Sequence, residues 1–172
     1  MRPVILFLLV STSSLFAQSQ LFWQVGYYGN NLWNPGVVLN VETALGQTPS
    51  YFLQGKIGGF WDPGHYPHFF LQMGTASRFK FGKRGLMELG LHPLSILNTF
   101  LPETYQLDED LGLQFLGPSG RAYLAPSASI GFGKKASKIL LPPWIIRVHV
   151  MTLFPFNTGV MPLLNIEVAF KL

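Results

Sequence analysis

A chain of 172 residues amounts to one domain, and 48% hydrophobic against 12% charged residues leaves too little polar surface for an ordinary soluble domain of that size. The formal charge of +4 is small, and the basic residues gather at short turns without forming a stripe that could follow a phosphate backbone, which argues against a nucleic-acid partner. The absence of cysteine excludes disulfides, thiolate metal sites and a lipidated-Cys anchor.

The first residues have the pattern of a secretory signal: Arg2 supplies the positive start, residues 4–10 an unbroken apolar run, and residues 11–17 a small-residue exit. Cleavage is expected after Ala17, so that residues 1–17 are the signal and 18–172 a single domain. The apolar run is too short for a membrane-spanning helix, which needs about 20 residues. The next best helical candidate, residues 139–156, is interrupted by Pro142, Pro143, Arg147, His149 and Pro155.

The remainder of the chain shows period-two alternation in segments of roughly ten residues separated by turn residues, the pattern of a membrane β-barrel. Eight segments are predicted, near residues 21–28, 36–46, 51–61, 68–81, 85–97, 121–133, 144–154 and 162–172. The first is short and aromatic and reads either as a full strand or as an irregular lead-in. In the second, Val37, Leu39, Val41 and Leu45 alternate with Asn40, Glu42 and Ala44, and in the third Leu53 and Ile57 alternate with Gln54, Lys56 and Gly58. The fourth sets Leu71, Met73, Phe79 and Phe81 against Gln72, Gly74, Ala76, Arg78 and Lys80; the fifth sets Met87, Leu89 and Leu91 against Glu88, Gly90 and His92. The last three continue the pattern, with Ser127 and Ser129, Arg147 and His149, and Asn165 and Glu167 on the polar face.

The predicted fold is therefore all-β, a closed antiparallel transmembrane barrel of about eight strands. Short connections at residues 46–50, 82–84 and 133–138 alternate with longer ones, the longest being a loop expected over residues 98–120. Two short turns are basic, with Lys83 and Arg84 in one and Lys134, Lys135 and Lys138 in the other, which reads as solvated turn charge or as contact with anionic headgroups. A soluble lipocalin-like or avidin-like barrel would need an apolar interior, and the second face of these strands carries too many charges to supply one.

The signal, the alternating strands and a last strand running Asn165-Ile166-Glu167-Val168-Ala169-Phe170-Lys171-Leu172 resemble the small eight-stranded outer-membrane β-barrels of Gram-negative bacteria. The stretch Gly26-Tyr27-Tyr28-Gly29, followed by Asn34-Pro35-Gly36, is similar to the amino-terminal region of barrels from Bacteroidota. The resemblance implies residence in the outer membrane, contact with its lipids and lipopolysaccharide, and insertion by the barrel-assembly machinery; a larger outer-membrane protein complex is a further candidate partner.

With the polar face inward, the lumen is expected to hold Glu42, Lys56, Arg78, Glu88, His92, Arg147, His149 and Glu167 as a paired charge network that plugs a narrow barrel. Folding about the turn at Gly82 sets Arg78 opposite Glu88, and folding the last two segments sets His149 near Glu167. Pro93 and Pro126, on adjacent strands, each remove a backbone donor and mark a candidate lateral seam. In the outer connections Asp62, His65 and His68, and separately Asp108, Glu109 and Asp110, could hold a cation but read better as solvated loop residues, and neither metal nor cofactor is expected.

Catalytic constellations are missing: there is no Gly-x-Ser-x-Gly elbow, no His-Glu-x-x-His and no phosphate-binding glycine loop. In His92-Pro93-Leu94-Ser95 strict alternation puts the histidine and the serine on opposite faces, so no catalytic residue is assigned. The expected function is a non-enzymatic structural or accessory barrel. The alternatives are a lipid-modifying barrel enzyme acting on lipid A or phospholipid, and a laterally opening barrel for a small hydrophobic ligand.

Overall fold

The computed structural model describes residues 21–29, 34–45, 50–61, 66–108, 112–134, 142–156 and 159–172, for 101–119 and 155–162 by their backbone alone. The expected signal segment and its cleavage point lie outside the described residues. Nine strands run in chain order: β1 (Leu21–Gly29), β2 (Gly36–Ala44), β3 (Tyr51–Trp61), β4 (Pro67–Phe81), β5 (Gly85–Asp108), β6 (Gly112–Leu124), β7 (Ser127–Lys134), β8 (Trp144–Phe156) and β9 (Gly159–Lys171).

All pairings are antiparallel and they close into a ring with eight positions, because β6 and β7 are two halves of one stave interrupted at Ala125 and Pro126. Closure is made by β1 against β9, from Gln24↔Lys171 to Gly29↔Ile166. The aromatic first segment is thus a full strand that pairs on both sides. Closing the ring removes the sheet edges, whose unpaired backbone groups would be costly in hydrocarbon.

The expected loop over residues 98–120 is corrected. Its backbone continues the sheet as a hairpin in which β5 runs to Asp108 and β6 starts at Gly112, with Asp108↔Gly112 as the last pair. Sequence alternation fades there because a two-stranded extension beyond the barrel has no single buried face to impose it.

At the opposite end, β4 and β5 are joined by the tight turn Gly82-Lys83-Arg84, in which Gly82 takes φ of 63°. An L-residue with a Cβ is strained there by about 1–2 kcal/mol. Gly82→Ala is expected to lower the unfolding free energy by about that amount, read as a lower urea midpoint in unfolding from vesicles.

The outer surface is apolar and ordered by height. Tyr51 and Trp61 on β3, Phe69 and Phe79 on β4, and Trp144 and Phe154 on β8 are all exposed pairs ten positions apart. Ten residues rising about 3.3 Å each, tilted by about 40°, span about 25 Å along the barrel axis, the height of a membrane barrel's apolar band. Between these aromatic levels the exposed residues are mostly aliphatic, among them Val25, Ile57, Leu71, Leu89, Ile130 and Val148, with Met73 and Thr75 as exceptions on β4. Two aromatic girdles around an aliphatic belt match two water–lipid interfaces around hydrocarbon.

Candidate functional site

Period-two alternation sends every second side chain inward, and in a barrel of eight staves those side chains must fill the space they enclose. Here they do so in layers. At the end opposite the Gly82 turn, Tyr28, Val38, Phe60, Phe70, Leu97, Ala125, Met151 and Leu153 form one buried apolar cluster. Near the turn end, Leu86, Ile145 and Ala169 form a second, and Phe52 lies buried beneath the Arg78 guanidinium at 4.1 Å. The charged residues lie between the two layers.

Glu42, Lys56, Arg78, Glu88, His92, Arg147, His149 and Glu167 are each 0 or 1% exposed. Three acids and three strong bases alternate along one connected chain. Arg78 bridges Glu42 to Glu88, with its Nε 2.6 Å from Glu88 Oε2. Arg147 Nε donates to Glu88 Oε1 at 2.6 Å, and its Nη1 pairs with Glu167 Oε1. Lys56 Nζ lies 2.7 Å from Glu167 Oε2, which is also 2.8 Å from His149 Nε2.

Arg78 faces Glu88 directly across the β4–β5 ladder, whereas His149 reaches Glu167 diagonally, since Arg147 is the residue opposite Glu167. Neutral groups extend the chain: Arg147 Nη2 donates to Gln24 Oε1 at 3.1 Å, and Asn40 Nδ2 donates to the same oxygen at 3.2 Å. His92 Nε2 lies 3.0 Å from Gln54 Oε1, and Gln72 Nε2 donates to Ser127 Oγ at 3.4 Å. Taken together, these contacts reach all eight staves and tie opposite walls of the barrel through the lumen.

Small residues make this crowding possible. A Cβ on Gly131 would come within 3.0 Å of Arg147 Cγ and of Ile145 Cδ1, so the glycine leaves the volume that the arginine stem fills.

Both oxygens of Glu88 and both of Glu167 are engaged, and the positive and negative groups balance with the histidines neutral. Such an arrangement can hold a barrel shut and rigid. Neither Glu88 nor Glu167 keeps a carboxylate oxygen free to act on a reactant.

The candidate seam is a compound irregularity in β5. Against β4, the single residue Gly74 faces both His92 and Pro93, between the pairs Thr75↔Leu91 and Met73↔Leu94. Against the β6/β7 stave, Pro93, Leu94 and Ser95 stand between His92↔Ser127 and Ile96↔Leu124, opposite only Ala125 and Pro126. Ala125 N donates to Ser95 O at 2.7 Å, and Pro126 O accepts from Thr152 N at 3.0 Å, so both flanks of the break are stitched. Pro93 and Leu94 are consecutive and both exposed, Leu94 at 70%.

This bulge overturns the expectation that His92 and Ser95 lie on opposite faces. The extra residue reverses the alternation, and both side chains are buried in the lumen. Leu97 is inside for the same reason.

In the outer connections Asp62, His65, Glu109 and Asp110 lie outside the described residues, as does the side chain of Asp108. His68 lies with its Nδ1 2.9 Å from Thr99 Oγ1 and its ring stacked on Phe60, centroids 4.6 Å apart.

Polar residues alone do not reveal the apolar layers above and below the charges, although Phe52, Phe60, Phe70, Ile145, Met151 and Leu153 share the phase of their polar neighbours Lys56, Gln72, Arg147 and His149. The signal is the phase itself, which extends beyond the residues that happen to be polar.

No family model matches the chain, and no curated protein matches it in sequence. Among solved structures it is similar to a de novo designed transmembrane β-barrel, at 17% identity and TM-score 0.42 over 90% of this chain and 95% of that one. It is also similar to the outer membrane protein Ail of Yersinia pestis in a phospholipid bilayer nanodisc, at 8% identity and TM-score 0.45 over 90% of this chain and all of that one. The eight-membered hydrogen-bonded ring stands independently of either likeness.

Proposed function

We propose that the chain is a non-enzymatic integral outer-membrane barrel with a plugged lumen, serving as a structural or accessory component beside a larger outer-membrane complex. The observation that carries this reading is the balanced network of Glu42, Glu88, Glu167, Lys56, Arg78 and Arg147, buried between two apolar layers. A conduit needs hydrated, mobile charges along its wall, and a catalytic lumen needs an acid or base with a free face. The carboxylates and strong bases, committed to one another, offer neither, and His92 and His149 are fully buried between the apolar layers. What remains for such a barrel to present is its lipid-facing wall and its two ends. With the short turns on the periplasmic side, the β5–β6 hairpin extends outward from the cell.

The purified barrel, reconstituted in a planar bilayer, is expected to pass no steady ion current at voltages where open porins conduct. A stable open-channel current overturns the plugged reading. After gentle extraction from its native membrane the protein is expected to migrate in a larger stoichiometric complex. A lone monomer that changes the mass of lipid A would replace the accessory role with an enzymatic one.

A further inference from the structure

The lumen network uses three of the chain's bases, and most of the others gather at one end. The ladder shows that they share a single rim. Lys80 pairs with Leu86 beside the Gly82 turn, Gly85 pairs with Lys134, Lys134 with Trp144, Trp144 with Phe170, and Lys171 with Gln24. Lys80, Lys83, Arg84, Lys134 and Lys171 are all exposed along that rim. Among the residues whose side chains are described, the acidic side chains are those of Glu42, Glu88 and Glu167, and all three are buried in the lumen. No described acidic side chain therefore neutralises this end.

These cations have a defined height. Exposed aromatics stand at the same height: Phe132 shares the outward phase of Lys134, while Phe79, Phe81 and Phe170 neighbour Lys80 and Lys171, which take the inward phase at the barrel's mouth, Lys171 Nζ 5.4 Å over the Phe22 ring. Trp23, Tyr51 and Trp144 complete the girdle at the same end. Aromatic side chains in such a girdle settle at the boundary between acyl chains and headgroups, and a lysine one or two residues beyond reaches the phosphate level with its stem still on apolar surface. A soluble acidic protein would ask for cations projecting free of the girdle. Cations interleaved with aromatics fit a lipid better.

We propose that this rim is a binding ring for anionic phospholipids, recognising the headgroup phosphate and net negative charge of lipids in the leaflet at the short-turn end. The inference rests on the membrane-spanning reading and adds a ligand class to it. Each rim cation near an anionic surface favours an anionic over a zwitterionic lipid about fivefold, an attraction that fades when the screening length falls to about 3 Å in 1 M salt.

The test uses tryptophan quenching in vesicles. In a W33F/W61F background the remaining tryptophans, Trp23 and Trp144, both lie in the girdle beside the ring. The folded barrel is reconstituted in phosphatidylcholine containing a small fraction of brominated phosphatidylglycerol or, separately, brominated phosphatidylcholine. Quenching is expected to give a relative association constant of about 5 for the anionic lipid. It should fall toward 1 in 1 M salt and in the K83Q/R84Q/K134Q/K171Q variant, which leaves every lumen charge in place and should keep the folded gel mobility. A ratio of 1 for the unmodified ring overturns the proposal, whether or not a soluble acidic protein binds there. An unchanged preference in the fourfold variant overturns it equally. Failure of the protein to enter vesicles at all would instead defeat the membrane reading, so the two failures are distinguishable.

Discussion

Replacing Arg147 by Met is expected to destabilise the barrel by about 3–5 kcal/mol, read as a lower urea midpoint from vesicles and loss of the heat-modifiable folded band. Arg147 is the central link of the lumen chain. Its guanidinium holds Glu88 and Glu167 together and donates to Gln24. Methionine fills a similar volume but leaves the layer with three acids and two strong bases, and the surplus charge is sealed between the clusters around Phe60 and around Ile145. A buried charge without its partner costs far more than the intact pair contributes, because desolvation is no longer offset. The double variant R147M/E88Q restores balance, leaving Arg78 with Glu42 and Lys56 with Glu167, and is expected to recover part of the loss. Should R147M alone stay within about 0.5 kcal/mol of the parent, like an ordinary surface change, the layer is hydrated and the plug is not sealed.

The second large effect concerns the outside of the same strand. Val148 is exposed between Trp144 and Phe154, near the middle of the aliphatic belt. Val148→Arg is expected to cost about 2–4 kcal/mol in vesicles, because a guanidinium at the bilayer midplane cannot easily reach water. Val37 is also exposed but pairs with Gly59, two residues from the girdle residue Trp61, and Val37→Arg is expected to cost only about 0–1 kcal/mol. A soluble barrel would treat both changes as surface substitutions of under about 0.5 kcal/mol. The depth dependence separates the two, since water has no midplane.

Much of the fold was legible in the linear pattern because a barrel stave sorts its side chains by a period of two over its whole length. Six of the eight predicted segments match an observed stave to within about three residues at both ends, the fifth, near 85–97, stops well short of the end of β5 at Asp108, and the sixth, near 121–133, spans the junction of β6 and β7. The pairing of Arg78 with Glu88 followed from one turn of known position, since a hairpin's register is set by its loop. His149 was harder to place, because it meets Glu167 only diagonally and its own cross-strand partner is Asn165.

The amino-acid sequence by itself determined the number of staves, the outward apolar face and the set of eight charged and histidine residues on the inner one, because these depend only on alternation within single strands. Tertiary structure alone decided which charges meet across the lumen, since Lys56 and Glu167, or Arg147 and Gln24, become neighbours only when the ring closes. It also decided the phase beyond Pro93. There two partners impose different registers on β5, and the extra residue that reconciles them turns Ser95 and Leu97 inward. The layering has the same origin: whether an inward side chain belongs to the charged band or to an apolar seal depends on its height, which is set by strand tilt and stagger around the closed barrel.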